Sequence, residues 1–238
     1  MKSTLACACR CALRVSVGSL LFVPLAFKPT LNVGPSEARA ESETIEVRNF
    51  QISVDGDRCG NLRMSIESRP DGRHVVLGNS SLELKYFLYT FRFSSQGNET
   101  WHAGKLEKLE NAANYGSSRY QVSATGDGDA LVVRADGQER KLPRNVWTTS
   151  YWHAPEDHQL GQTVSLLDSH KGRSLSAKLE RVGEEPVALG DKDQPCSHYR
   201  LRGDVEVDLW YDAAGRLVRQ EALESGHRTR LQLVAIKQ

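Results

Sequence analysis

The sequence has little of what marks a nucleic-acid-binding protein, a multi-span membrane protein or an enzyme of a familiar class. Basic and acidic side chains nearly balance, with 31 Lys and Arg against 30 Asp and Glu. No basic stripe is present, which argues against a nucleic-acid partner. There is no Gly-x-Ser-x-Gly elbow and no glycine-rich phosphate loop between a strand and a helix, so the sequence predicts neither a nucleophilic serine nor a nucleotide cofactor.

Metal ligands and paired catalytic acids are equally poorly represented. Of the seven histidines, only His153 and His158 are close in sequence, and their spacing matches no zinc motif. Asp204, Glu206 and Asp208 alternate along one predicted strand, a pattern more typical of a solvated face than of a glycosidase pair. We therefore predict no metal, no cofactor and no catalytic residue.

The first 40 residues have the features of an export signal. Basic residues up to Arg14 precede an apolar stretch at 15–27, and Ala-Arg-Ala at 38–40 supplies a small-x-small cleavage pattern. Thirteen residues are few for a hydrocarbon core about 30 Å thick, which favours a cleaved signal over a membrane anchor. The sequence thus predicts a signal peptide at 1–40, a single all-β domain at 41–238, a periplasmic location and no stable membrane span after cleavage.

Only two cysteines follow the predicted signal, Cys59 and Cys196. In an oxidising compartment they form a candidate disulfide. The loop that such a bond closes is long enough to stabilise the fold by up to about 5 kcal/mol. Two separate buried thiols are the alternative, because the sequence does not show whether the Cα atoms lie within the roughly 7 Å that a disulfide needs.

Alternation of apolar and polar residues between tight-turn signals dominates the remaining sequence. The signals are Asp55-Gly56, Asp71-Gly72, Gly126-Asp127-Gly128, Asp136-Gly137, Ala213-Ala214-Gly215 and Ser225-Gly226. Gly and Asp tolerate the backbone angles of hairpin turns, so this spacing is typical of an antiparallel meander. We predict an all-β fold with little helix, built as one large, strongly curved antiparallel meander sheet, that is, a half-open or incomplete barrel.

Three segments carry the details of this prediction. The cleanest alternation, at 199–212, is interpreted as one strand, and 73–93 as one long strand that bends at Tyr86 and Phe87 because its apolar residues change phase there. The segment 105–114 has helix formers at helical spacing, but its neighbours are all strands, which favours a strand.

Three tryptophans and one arginine are the candidate ligand-binding residues, namely Trp101, Trp152, Trp210 and Arg216. Trp210 lies on the polar phase of the predicted strand, so its indole is either covered by another part of the fold or lines an open concave surface. In a curved sheet the second arrangement makes a ligand groove, and ordinary packing is the alternative. Arg216 would hold a polar head group.

Three motifs in order, with the leader and the meander, carry a family resemblance. They are Glu99-Thr-Trp101-His-Ala-Gly104-Lys-Leu106, Tyr151-Trp152 and Leu209-Trp210-Tyr211-Asp212-Ala-Ala-Gly215-Arg216-Leu217-Val218. The chain resembles an uncharacterised bacterial exported family, a domain of unknown function, over about 44–236. More distantly it is similar to the half-open β-barrel of Lol-type lipoprotein carriers, which implies acyl-chain binding in a hydrophobic cavity. Unlike those carriers, it has no long helix to cover the open side.

Three functions follow as hypotheses. The first is a non-catalytic periplasmic protein that binds or carries a lipid or another apolar or amphipathic ligand in the concave sheet. The second is a structural or accessory protein of the cell envelope that binds a protein partner. The third, which the absence of catalytic motifs favours least, is a hydrolase of envelope lipids or glycans; it would require titratable groups that converge in one cleft.

Overall fold

The computed structural model describes residues 43–85, 87–224 and 226–238, so the predicted signal peptide at 1–40 lies outside the described residues. The described residues form fifteen strands and one turn of 3-10 helix at Asp157–Gln159. The strands are β1 Thr44–Val54, β2 Asp57–Ser68, β3 Arg73–Lys85, β4 Thr90–His102, β5 Lys105–Tyr115, β6 Ser118–Asp127, β7 Ala130–Ala135, β8 Gln138–Pro143, β9 Trp147–Thr148, β10 Thr163–Leu167, β11 Ser174–Leu189, β12 Lys192–Gly203, β13 Glu206–Tyr211, β14 Leu217–Glu224 and β15 His227–Lys237.

All of these strands belong to one sheet, which confirms the predicted all-β class. Strands β8 to β1 follow one another in reverse chain order, β1 pairs with β15, and β15 to β9 complete the sheet. Two meanders are thus joined side by side through the first and last strands. Every pair is antiparallel except β9 with β10, which run parallel.

The sheet is strongly curved, as the connection between its two edges requires. Fourteen spacings of about 4.8 Å would place the edges of a flat sheet of this size about 67 Å apart. The edge strands β8 and β9 are nevertheless joined by residues 144–146 alone, and the four Cα–Cα steps from Pro143 to Trp147 span at most about 15 Å. The sheet must therefore curl until its edges approach each other, without closing into a barrel.

The β9–β10 end of the sheet lies inside this curl. Thr148 Oγ1 on β9 donates a hydrogen bond to Glu99 Oε2 on β4 at 3.0 Å. Gly172, in the turn after β10, lies so close to β7 that a Cβ on it would come within 2.4 Å of Ala135 Cβ. Trp147 and Thr148 are buried on both faces of β9. The sheet is consequently an inward-turning spiral, and one of its edges packs against its own concave face.

Two of the predicted strands are hairpins, whereas the ambiguous segment is a strand. Residues 105–114 lie within β5, as predicted. The segment 199–212 contains the end of β12 and all of β13, and 73–93 contains β3 and the start of β4. Of the two residues at the predicted bend, Phe87 lies in the turn between β3 and β4, and Tyr86 lies outside the described residues.

Hairpin register explains why the alternation at 199–212 continues through a turn. In the β12–β13 pair, Leu201 lies opposite Val207 and Arg202 opposite Glu206. Odd-numbered residues therefore face odd-numbered residues, and opposite residues in a sheet lie on the same face. The period of two passes from one strand to the next without a change of phase, so periodicity alone could not reveal the turn.

The hydrophobic core occupies the concave side where the strands inside the curl meet the outer wall. Trp101 and Leu106 from the β4–β5 hairpin, Trp147 from β9, Tyr151 from the segment between β9 and β10, and Leu166 from β10 are each at most 2% exposed. We call these five residues the packed end. Their aromatic rings meet at tilted or edge-on angles, as with Trp147 and Tyr151, whose centroids are 5.2 Å apart, which is a favourable geometry for such pairs.

Candidate ligand-binding cavity

The concave side is hollow beyond the packed end. A cavity of about 500 Å³ lies between β1–β5, β14–β15 and the turn at 168–173, which we call the inner turn. This volume is in the range of small-molecule sites. The apolar part of its lining, which we call the apolar wall, consists of Ile52, Val54, Leu62, Met64, Val76, Leu82, Leu84, Phe91, Phe93, Leu109 and Leu231. The polar part that we call the polar wall consists of Ser95, Glu99, Asn111, Tyr115, Ser150, Ser169, His170 and Lys171, and the two parts meet where Phe93 contacts Tyr115 and His170.

The space exists because β3 carries small side chains at the middle of its inward face. Inward residues alternate along β3, and Val76, Leu82 and Leu84 flank Gly78 and Ser80. A Cβ on Gly78 would meet no atom within 4 Å. Large side chains at these two positions would fill the cavity from the outer wall. The volume of the cavity therefore depends on two small residues of β3.

The inner turn supplies Ser169, His170 and Lys171 to the polar wall and is held in shape by Asp168. The Asp168 Oδ1 accepts hydrogen bonds from the backbone N–H groups of His170 and Lys171 at 3.0 and 3.1 Å. Its Oδ2 accepts from Arg173 Nε at 3.0 Å. Gly172 permits the turn for two reasons. Its backbone has a positive φ of 67°, and a side chain at this position would collide with Ala135. The turn therefore presents His170 and Lys171 to the cavity in a fixed orientation.

His170 lies at the centre of a hydrogen-bonded chain across the cavity. Its Nε2 is 3.2 Å from Ser95 Oγ and its Nδ1 is 3.2 Å from Tyr115 Oη, and Ser95 Oγ is 2.9 Å from Ser80 Oγ. Burial lowers the pKa of His170 and raises that of Tyr115, so both side chains are neutral at pH 7. A neutral imidazole can exchange hydrogen bonds with a ligand or accept a proton from Ser95.

Glu99 closes the cavity at the packed end. Its Oε2 accepts hydrogen bonds from Trp101 Nε1, Thr148 Oγ1 and Ser150 Oγ at 2.8, 3.0 and 3.1 Å. Its Oε1 accepts from Ser169 Oγ at 3.3 Å. Burial raises the pKa of Glu99, although the four hydrogen bonds oppose the shift. This carboxyl group joins the outer wall to β9 and the inner turn, which is a structural role.

The structure brings two of the four predicted site residues together. Trp101 and Trp152 are buried, with ring centroids 6.1 Å apart, and Arg48 Nη1 donates to the Trp152 carbonyl at 2.6 Å. Trp101 donates a hydrogen bond to Glu99, which lines the end of the cavity, so the indole lies behind this lining residue. Neither indole is among the described residues that line the cavity.

The other two predicted residues lie elsewhere on the sheet. Trp210 is buried, stacks on His198 with a centroid distance of 4.2 Å and donates to Glu185 Oε2 at 3.0 Å. Arg216 forms ion pairs with Asp212 and Glu46 at 2.7 and 3.4 Å. In the described part of the chain neither residue lines the cavity, so a ligand role for the four residues stays a prediction.

The two cysteines are free thiols in the structure. Cys59 is on β2 and Cys196 on β12, and four strands lie between β2 and β12 in the sheet. Burial raises the pKa of Cys196 to about 11, which keeps this thiol protonated and unreactive at neutral pH. The structure therefore gives no support to the candidate disulfide.

Sequence reasoning missed the polar wall because its residues are dispersed along the chain. Ser95, Tyr115 and His170 are separated by 20 residues or more, and no short motif joins them. The Asp168-x-His170-Lys171-Gly172 turn was the available signal, because a glycine after a charged turn marks an obligatory conformation.

Among the described residues, no group of three His, Cys, Asp or Glu side chains is arranged to hold a metal ion, and no helix is long and apolar enough to span a membrane.

An open, inward-curled sheet of this kind defines a β-barrel-like protein. The structure is similar to the crystal structure of a beta-barrel-like protein of domain of unknown function DUF1849 from Brucella abortus, with a TM-score of 0.61 and 9% sequence identity, covering 81% of this chain and 97% of that chain. At this identity the likeness concerns the fold alone. Residues 50–234 match the family described as domain of unknown function DUF6134, and the chain belongs to that family. This confirms the predicted resemblance to an uncharacterised family. None of the curated proteins matches the sequence.

Proposed function

We propose that the protein binds an apolar or amphipathic ligand in the cavity without catalysing a reaction on it, and that it does so as an exported, periplasmic carrier. The observation that supports this function is a concave sheet face left hollow and lined by both the apolar wall and the polar wall. A filled interior would have argued for a purely structural fold. The proposed location depends on the export signal predicted at 1–40.

The two walls divide the binding energy in a way that suits an amphipathic chain. Each methylene removed from water contributes about 0.8 kcal/mol. A chain of about ten methylenes would therefore gain about 8 kcal/mol from the apolar wall, and association itself costs about 4–15 kcal/mol. Apolar contact alone thus gives weak binding. Polar contacts with the residues of the polar wall are needed for affinity, and they also fix the direction of the chain.

Filling the cavity from β3 tests this function. We expect Gly78→Leu to place a side chain in the hollow and to weaken binding of dodecanol and dodecanoate at least tenfold, as measured by isothermal titration calorimetry. Asn79→Leu is the matched control, because Asn79 is the next residue on the same strand and points to the exposed convex face. Absence of binding to the wild-type protein, or equal affinity of wild type and Gly78→Leu, would contradict the proposal.

A second candidate function is binding of an envelope protein, and the β3–β4 turn is the observation that favours it. Phe87, Leu88 and Tyr89 are 100%, 86% and 61% exposed, next to the end of the cavity that Leu84 and Phe91 line. Three consecutive exposed apolar side chains are typical of an interaction site. Cross-linking of the wild type and a Phe87→Ser, Leu88→Ser variant in the periplasm tests it, because a partner bound here is lost in the variant alone.

A hydrolase has less support than either binding function, although Ser95 and His170 are within hydrogen-bond distance. Strand β4 is paired on both sides at Ser95, so the backbone N–H groups there are engaged and offer no oxyanion hole. The Nδ1 of His170 meets the Tyr115 hydroxyl rather than a carboxylate that would orient it as a base.

A further inference from the structure

We propose that the ligand is a single-chain amphipath with an anionic head group, and that the Lys171 ammonium binds this head. The inference rests on the proposed function and adds the chemical class of the ligand and its direction in the cavity. Lys171 lines the cavity on the inner turn and is half-buried. Its Nζ lies 4.5 Å from the centroid of the Tyr115 ring and 5.7 Å from that of Tyr120. The aromatic pair holds the ammonium in place through cation–π contacts.

Within the described residues, no carboxylate lies within 4.0 Å of the Lys171 Nζ. By contrast, Arg230 of the cavity lining is paired with Glu221 at 2.9 Å, and the His227 imidazole is 2.6 Å from Asp55. A partly desolvated charge is costly unless it is paired. A bound anion would supply the pair that the protein does not.

Two buried acids, Asp168 and Glu99, form hydrogen bonds with the inner turn but do not form an ion pair with Lys171. The Asp168 carboxylate accepts hydrogen bonds from two backbone N–H groups and from Arg173. Glu99 has four hydrogen-bond donors and a pKa raised by burial. Both acids are thus committed to holding the fold, and Lys171 remains available to a ligand.

Neighbouring donors complete an anion site around Lys171. The hydroxyls of Tyr115 and Ser95 and the imidazole of His170 line the same part of the cavity. Hydrogen bonds to an ionised head group are about twice as strong as neutral ones. With the head group here, the alkyl chain lies on the apolar wall toward Leu84 and Phe91 at the far end of β3 and β4.

Glu224 is an acidic side chain that opposes an anion in the cavity. It lines the cavity on β14, and the pKa of Tyr115 is raised by burial, by the charge of Asp168 and by the charge of Glu224. Removal of this charge should therefore tighten binding of an anionic ligand and leave a neutral one unaffected.

The test compares three ligands with the same alkyl chain: dodecanoate, dodecyl phosphate and dodecanol. We expect the wild-type protein to bind dodecanoate or dodecyl phosphate at least tenfold more tightly than dodecanol by titration calorimetry. Whichever anion binds more tightly identifies the head as carboxylate or phosphate. Lys171→Gln should reduce this preference to less than twofold by weakening the binding of the two anions, and Glu224→Gln should increase it. Lys178→Gln is the matched control, because Lys178 is an exposed lysine on β11 paired with Glu180.

The outcomes separate this inference from the proposed function. If none of the three ligands binds, the proposed function is wrong and the inference falls with it. If dodecanol binds the wild-type protein as tightly as the anions do, the carrier function stands and the inference is overturned. This comparison needs no variant, so it decides the question even if Lys171→Gln fails to fold. An unchanged preference in folded Lys171→Gln would also overturn it.

Discussion

The two ends of the concave face have the same strand pattern and opposite contents. At the packed end, β9 and β10 press against the β4–β5 hairpin, and residues such as Trp101 and Leu166 are inaccessible. At the other end, inward residues of β3 and β4 such as Leu84 and Phe91 line the cavity and are only half-buried. An inward position in a curved sheet therefore becomes core only where another part of the chain reaches it.

Truncation of a leucine at each end should give the largest contrast. Leu166→Ala removes a fully buried side chain and leaves a void, so it should lower the free energy of unfolding by about 2–5 kcal/mol. Leu84→Ala enlarges a space that is already open, and we expect a loss of about 1 kcal/mol or less. Urea unfolding followed by circular dichroism measures both values. Equal losses would show that the two ends are packed alike.

A side chain at Gly172 should weaken the contact between the inner turn and β7. Gly172→Ala introduces a Cβ that overlaps Ala135 and a residue at positive φ. The expected loss of unfolding free energy is about 1–3 kcal/mol. Gly128→Ala, at another turn with positive φ but with no atom within 4 Å of the added Cβ, isolates the backbone cost. A loss no larger than that of Gly128→Ala would mean that the inner turn does not pack on β7.

The pH dependence of stability should report on Glu99, where the two ends meet. Because burial raises the pKa of Glu99 in the folded state above its ordinary 4.5, the folded protein holds a proton that the unfolded chain releases. Stability contributed by this group should fall as pH rises from about 4.5 through the raised pKa. Glu99→Gln removes that fall, so the variant should gain stability relative to wild type between pH 4.5 and 8.

Glu110→Gln is the control for this measurement and should behave in the opposite way. The hydrogen bond from Lys108 lowers the pKa of Glu110, so its stabilising contribution is present above the unfolded pKa and is lost in acid. A stability difference between wild type and Glu99→Gln that does not change with pH would contradict the raised pKa.

The smallest effect is expected at the exposed rim of the hollow end. Phe87 is fully exposed, so Phe87→Ser should change the unfolding free energy by no more than about 0.5 kcal/mol. Thermal unfolding of wild type and variant side by side checks this. A clear loss would show that the turn packs against another part of the protein.

The sequence was sufficient for the fold class because that class follows from local features. Turn signals such as Asp55-Gly56 and the alternation within β1 and β2 indicate antiparallel hairpins, which are formed by neighbours in the chain. The ends of the strands were less well predicted than the fold class. The β12–β13 register keeps residues of one parity on one face, so a hairpin gave the pattern of one strand.

The site could not be predicted from the sequence because it is formed by residues that are far apart in the chain. His170 meets Ser95 across 75 residues, and only the inward turn of the β9–β10 edge brings them together. The polar phase of Trp210 makes its indole a candidate for facing a ligand. In the structure this indole stacks on His198 and donates a hydrogen bond to Glu185. Aromatic residues out of phase can thus mark polar packing on the convex side as well as a ligand.

The inward turn of the sheet also has a consequence for self-association. An open sheet normally leaves two margins whose free backbone groups can recruit a strand from another copy and start a fibre. Here one margin, β9, is enclosed by the protein itself. The opposite margin, β8, is short, carries Glu139, Arg140 and Lys141, and ends at Pro143, which has no backbone N–H to offer. Both margins of the sheet are therefore poor templates for strand addition, although the sheet is not closed by hydrogen bonds between its edges.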